Sequence, residues 1–158
     1  MSALIEIEVT VNGNVHRLSV APRRVLADLL REELGLTGCK TGCDQAVCGA
    51  CTVLADDVPT TACATFAFEV DGKAVTTIEG LAVADALHPI QRAFLDHGAF
   101  QCGFCTPGMI LSVKALLERH PDPDEELIRQ WLDANICRCT GYQMIVEAVQ
   151  AAAKAARQ

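Results

Sequence analysis

At 158 residues, with 51% hydrophobic and 21% charged side chains, the chain suits one globular domain or two small ones and is too apolar for disorder. Its formal charge of −7, with no run of Lys or Arg to offset it, argues against nucleic acid or an anionic membrane as a partner. Only one Trp and one Tyr occur, and much of the apolar content is Ala and Val, which favours close helix packing over a large aromatic core.

In chain order, residues 4–11 alternate apolar and polar, and residues 15–20 continue the alternation after Asn12-Gly13-Asn14. That pattern predicts a β-hairpin. Residues 25–34 place Val25, Leu26, Leu29 and Leu30 on one helical face, with Gly35 in the position that ends a helix. A hairpin, a helix, a Cys-rich loop and further strands fit the β-grasp ferredoxin arrangement. Residues 51–54 read as a short strand, Asp56-Asp57 as a turn and residues 74–78 as a last strand after Asp71-Gly72. From residue 88 the pattern turns helical. Helices are expected over 90–97, over 107–120, from the Asp122-Pro123-Asp124-Glu125 start to about 134, and over 142–156. The expected fold class is α+β. A ferredoxin-like domain (1–78) and a linker (79–87) precede a small four-helix bundle (88–158).

The cysteines carry the chemistry. Cys43, Cys48, Cys51 and Cys63 follow the spacing Cys-x4-Cys-x2-Cys with a fourth thiol after eleven intervening residues, the plant-type pattern for a [2Fe–2S] cluster. Gly42 and Gly49 suit such a loop, because a residue without Cβ permits φ > 0 and lets backbone N–H groups approach sulfur. A structural zinc site usually takes two Cys-x2-Cys knuckles, which this spacing fits badly. The second set comes as two arms, Cys102-x2-Cys105 and Cys137-x-Cys139. Each arm leads into a helix start, with Thr106-Pro107 and Thr140-Gly141 as cap signals, and a helix N-terminus favours thiolate. Taken alone, a Cys-x2-Cys arm also fits a redox or zinc knuckle.

Cys39 is left over and reads as a small buried or loop residue. A disulfide framework is disfavoured, since Cys137 and Cys139 are badly spaced for ordinary bridges and no secretory signal leads the chain. The N-terminal pattern and the lack of a long apolar run predict a cytoplasmic protein without membrane association. His16, His88, His97 and His120 show no metal-like spacing and read as surface or cap residues. Phe94 and Trp131 read as core, and Arg138 as a local charge neutraliser. No Gly-x-Gly-x-x-Gly occurs, so neither a dinucleotide nor a flavin site is expected on this chain.

Three ordered blocks carry a resemblance that spans almost the whole chain: Lys40 with residues 42–43 and 48–53, residues 101–108 (Gln-Cys-Gly-Phe-Cys-Thr-Pro-Gly), and residues 137–142 (Cys-Arg-Cys-Thr-Gly-Tyr). They resemble the iron–sulfur subunit of the molybdenum hydroxylases, the family of xanthine dehydrogenase, aldehyde oxidoreductase and carbon monoxide dehydrogenase. Two residues depart from the family pattern. Cys39 stands where Thr or another small residue is common, and Ala46 where Gly is frequent.

The resemblance implies an oxidoreductase subunit holding two [2Fe–2S] clusters, with the substrate site on a large molybdopterin-binding partner. Single electrons would pass to FAD on a medium subunit or to another acceptor, in a heterotrimer or a dimer of heterotrimers. Cys102, Cys105, Cys137 and Cys139 would hold the cluster nearer the pterin, with Gln101 and Cys139 at that contact. Cys43, Cys48, Cys51 and Cys63 would hold the other. Two alternatives stand beside this: a subunit of a reductive aromatic-thioester dehydroxylase of the same family, and a free-standing ferredoxin-like carrier.

Overall fold

The computed structural model describes residues 3–84 and 86–157. Strands β1 (Ile5–Val11) and β2 (Asn14–Val20) form the expected hairpin, closed by Asn12 and Gly13 at positive φ. β3 (Thr52–Ala55) and β4 (Val58–Thr61) form a second hairpin, and β5 (Ala74–Thr76) lies between the two. The sheet order is β2-β1-β5-β3-β4, with β5 parallel to β1 and antiparallel to β3. A parallel pair cannot be closed by a tight turn, so the crossover from β1 to β5 carries the helix and the cysteine loop.

The first helix departs from expectation. Leu26–Asp28 (α1) forms a short α-helical segment, and Leu29–Glu33 widens into a π-type turn. The Leu34 N–H accordingly bonds the Leu29 carbonyl at 3.2 Å. The wider turn leaves Leu26, Leu29 and Leu30 all fully buried against the sheet, worth roughly 1.5–3 kcal/mol each. Gly35, at φ 70, ends the segment as expected.

Four helices follow: α2 (Pro89–Asp96), α3 (Thr106–Arg119), α4 (Glu125–Leu132) and α5 (Gln143–Ala155). Two of the expected starts are corrected. The cap of α4 is Asp124, whose Oδ1 accepts the Leu127 N–H at 2.8 Å, so Asp122 and Pro123 lie outside the helix. Thr106 does not cap α3; it sits in the first turn, and its Oγ1 is buried with no partner among the described residues.

Two apolar cores result. One lies between the sheet and α1; the other lies among α2, α3, α4 and α5. Strand β3 serves both. Alternate residues of a strand point to opposite faces, so Val53 joins the first core while Leu54 joins the helical one. Phe94 is buried in the helical core, and Trp131 packs partly buried against it.

Candidate metal centres

Three thiols of the first set, Cys43, Cys48 and Cys51, sit on one continuous loop, and the fourth, Cys63, follows β4. Three backbone N–H groups, from Gln45, Val47 and Cys48, converge on Cys43 Sγ, each at 3.4 Å. The turn that aims them puts Asp44 and Ala46 at φ 54 and 55. Glycine would be the easier residue at position 46, because a side chain in the left-handed region costs about 1–2 kcal/mol. The N–H groups of Cys48, Gln45 and Val47 stabilise the thiolate and hold Cys43 down at about 6. Cys51 is the opposite case. Burial pushes its thiol up to about 12, although the Cys63 N–H donates to its sulfur at 3.4 Å.

The two loop glycines have different roles. Gly49 has φ 69, as the sequence suggested, but Gly42 is not in the left-handed region. A Cβ on Gly42 would stand 3.2 Å from Cys48 Sγ and 3.4 Å from the Phe104 ring. Gly42 thus lets the Cys48 sulfur and the Phe104 ring pack closely over the backbone.

Outside the thiols, long-range clamps hold this loop. Arg31 Nη1 donates to the carbonyls of Thr37 (3.1 Å) and Cys39 (2.8 Å). The Gly38 N–H donates to Glu79 Oε1 at 2.7 Å. Cys39 is itself buried, its Sγ 3.5 Å from the Cys51 carbonyl, and burial pushes its thiol up to about 12. Its place behind the loop agrees with a packing role.

The second set faces a cavity of about 250 Å³ lined by Cys102, Cys105, Cys137 and Cys139, with Cys48 and Gly42 on the far wall. Cys102 and Cys139 are exposed and lie 3.7 Å apart, sulfur to sulfur. Cys105 and Cys137 lie deeper. Burial and the neighbouring Cys137 push the Cys105 thiol up to about 12. Burial works against the Cys137 thiolate too, but the Thr140 hydroxyl, 3.1 Å from its sulfur, and nearby N–H groups outweigh it and lower that pKa.

Tyr142 ties this arm together: its hydroxyl accepts the Cys137 N–H at 2.8 Å and donates to the Asn135 carbonyl at 2.9 Å. Thr140 Oγ1 accepts the Tyr142 N–H at 3.2 Å, so it satisfies the backbone just ahead of α5. Arg138 and Gln101 are exposed beside the ligand positions. His88 caps α2 through Nδ1, and His120 packs edge-on to Trp131.

The two cysteine loops touch. The Ile136 N–H, next to Cys137, donates to the Cys48 carbonyl at 2.9 Å. Gly108 in α3 lies against the same loop, where a Cβ would stand 2.4 Å from the Gly49 carbonyl.

These donors fit the group the spacing suggests. The thiols approach one another in twos, Cys43 with Cys48, Cys51 with Cys63, Cys102 with Cys139 and Cys105 with Cys137. Paired thiols, four to a set, suit a binuclear cluster. All nine cysteines are free thiols.

Comparison with known proteins points the same way. A family model described as a 2Fe-2S iron-sulfur cluster binding domain matches residues 9–74, and one described as a [2Fe-2S] binding domain matches residues 77–150. The nicotine 6-hydroxylase small subunit of Paenarthrobacter nicotinovorans is 49% identical over 92% of this chain and 87% of its own length. The solved quinoline 2-oxidoreductase from Pseudomonas putida 86 superposes with a TM-score of 0.94 at 44% identity, covering 99% of this chain and 98% of that one. The aldehyde oxidoreductase of Megalodesulfovibrio gigas is 48% identical over 95% of this chain, which spans only 17% of that protein's length.

Fold, thiol sets and matches define an iron–sulfur protein with two [2Fe–2S] domains. The chain belongs to the iron–sulfur small-subunit family of the molybdenum hydroxylases and is an electron-transfer subunit of an oxidoreductase.

Proposed function

We propose that this chain relays single electrons between a large molybdopterin-binding partner, where substrate is oxidised, and a flavin-binding partner or another acceptor. The observation that carries the reading is the hydrogen bond from Ile136 N–H to the Cys48 carbonyl, which joins the two thiol sets directly. When bound, each [2Fe–2S] group takes up and gives back one electron at a time. The residues of this chain hold and tune those groups. Cys43, Cys48, Cys51 and Cys63 hold one of them in a loop whose N–H groups favour negative sulfur. Cys102, Cys105, Cys137 and Cys139 hold the other. Residues 1–78 form the first domain, 79–87 the connection and 88–158 the second.

The exposed end of the second set is the entry side. Cys102 and Cys139 are exposed there, with Gln101 beside them, and Phe104 and Ile136 expose 46% and 49% of their surfaces. An apolar rim around a redox centre suits a lasting protein interface, for which roughly 1,000 Å² or more should be buried. Gln101, able both to donate and to accept, would meet the polar edge of a pterin next to Cys139. Oxidation as the working direction, rather than reductive dehydroxylation or free carriage, is supported by relatives named as a hydroxylase small subunit and a nicotinate dehydrogenase small FeS subunit. No helix among the described residues is long and apolar enough to cross a membrane. Cytoplasmic residence is part of the proposal, in a heterotrimer or a dimer of heterotrimers.

The test is isolation of the tagged chain from its own host without oxygen. Molybdenum and flavin should co-purify with it. Gln101→Leu should keep iron at the original level while lowering bound molybdenum or slowing reduction of the clusters by substrate. A monomer free of molybdenum would refute the relay reading, and an unchanged Gln101→Leu complex would remove Gln101 from the site.

A further inference from the structure

Asn135 supplies no thiol, yet it is the side chain on which both halves of the site meet. It is 1% exposed. Its Nδ2 donates to the Gly49 carbonyl at 2.9 Å and approaches Thr52 Oγ1 at 3.4 Å, both in the first domain. Its Oδ1 accepts the Ser112 hydroxyl of α3 at 2.6 Å, and its own carbonyl accepts the Tyr142 hydroxyl. Its amide oxygen and both long-range donor contacts are thus used in a buried junction. Gly49 lies between Cys48 and Cys51; Asn135 lies two residues before Cys137.

The fit is tight. A Cβ on Gly49 would stand 2.3 Å from the Ala134 carbonyl and 2.6 Å from Asn135 Nδ2. Release of the Nδ2 bond would leave the Gly49 carbonyl held from its own loop by Thr52 and would weaken the junction beside the Ile136–Cys48 bond.

We propose that Asn135 is a positioning residue that fixes the separation and relative orientation of the two thiol sets, so that electron exchange between them depends on it. The inference rests on the relay reading, and the two fail differently. A wild-type chain that binds no iron–sulfide sinks the relay reading. The Asn135 role is judged on chains that hold both clusters.

Asn135→Asp keeps the shape and the acceptor for Ser112, but turns an anion toward the Gly49 carbonyl. Ser112→Ala keeps the Gly49 link and removes only the support from α3. In full-length chains with iron and labile sulfide at the wild-type level, the magnetic splitting between the two reduced centres should change in Asn135→Asp and stay unchanged in Ser112→Ala. Because misplacement on the order of 1 Å can cost a chemical step up to roughly 10²-fold, redistribution of a photo-injected electron should slow by about tenfold in Asn135→Asp. Should Asn135→Asp not accumulate, the smaller Asn135→Ser, which loses the reach to Gly49 without adding charge, is read the same way. Wild-type splitting and rate in the Asn135 variant, or equal changes in Ser112→Ala, would overturn the proposal and leave Asn135 as ordinary core.

Discussion

The two thiol sets are built by different means. The Cys43 loop makes its environment from backbone: three N–H groups on one sulfur, aimed by two residues held at positive φ. The Cys102 set lies on two arms that side chains pin, with Tyr142 and Thr140 on one arm and Asn135 reaching across to the other domain. A backbone-built site tolerates changes of side chain as long as the turn can form. A site pinned by side chains should fail one hydroxyl or amide at a time.

Gly49 is where the comparison breaks down, since it belongs to the first loop and is enclosed by the second domain. Gly49→Ala adds left-handed strain and a 2.3 Å clash with the Ala134 carbonyl. A loss of about 3 kcal/mol or more is expected, seen as a lowered unfolding midpoint together with damage at both thiol sets. Damage confined to the first set would show that the junction is looser than described.

Tyr142→Phe probes the side-chain construction. The phenol is the only group holding both the Cys137 N–H and the Asn135 carbonyl in the contacts described above. Its removal should cost about 1–3 kcal/mol. The second centre should lose spectral sharpness while the first keeps its signal.

Ala46→Gly probes the backbone construction from the favourable side. Relief of strain at φ 55 outweighs the extra entropy of glycine in the unfolded chain, so a gain of about 0.5–1 kcal/mol is expected. Thermal unfolding of the cluster-loaded protein reads it, and the second centre should not respond.

The smallest effect lies outside both sets. His88 Nδ1 accepts the Ile90 N–H at the start of α2, which requires a neutral ring. Burial, then the nearby Lys114, holds its pKa below the ordinary value. A depressed folded pKa means the unfolded chain binds the proton more readily. The His88 contribution is therefore present above the unfolded pKa of about 6.5 and is lost as pH falls through the folded one. The unfolding midpoint should drop slightly on acidification, and His88→Asn, which retains a capping side chain, should flatten that part of the slope.

The two thiol sets were legible as candidate ligands because their spacing is chemically specific. The hairpin at Asn12-Gly13 and the helix end at Gly35 were legible because a positive φ leaves a glycine signature. What supports the ligands was not. Asn135 finds Gly49 across 86 positions of sequence, and Arg31 and Glu79 look like ordinary surface charges until the loop folds back onto them. Strand β4 escaped notice because Val58-Pro59 reads as a loop, and Pro59 is tolerated on what proves to be an edge strand. The π-type turn after Asp28 reflects tertiary packing of Leu29 and Leu30, a preference no local residue announces.

The central claim, two separate thiol sets each holding one [2Fe–2S] group, is tested most directly by paired ligand substitution. The full chain is isolated without oxygen as wild type, Cys43→Ser, Cys105→Ser and Cys39→Ser, and each is assayed for iron, labile sulfide and paramagnetic signals after reduction. The wild type should show two distinguishable signals. Cys43→Ser should lose or distort one and Cys105→Ser the other, while Cys39→Ser, buried behind the loop, should keep both. Stoichiometric zinc without labile sulfide, or loss of the first signal from Cys39→Ser but not from Cys43→Ser, would contradict the account.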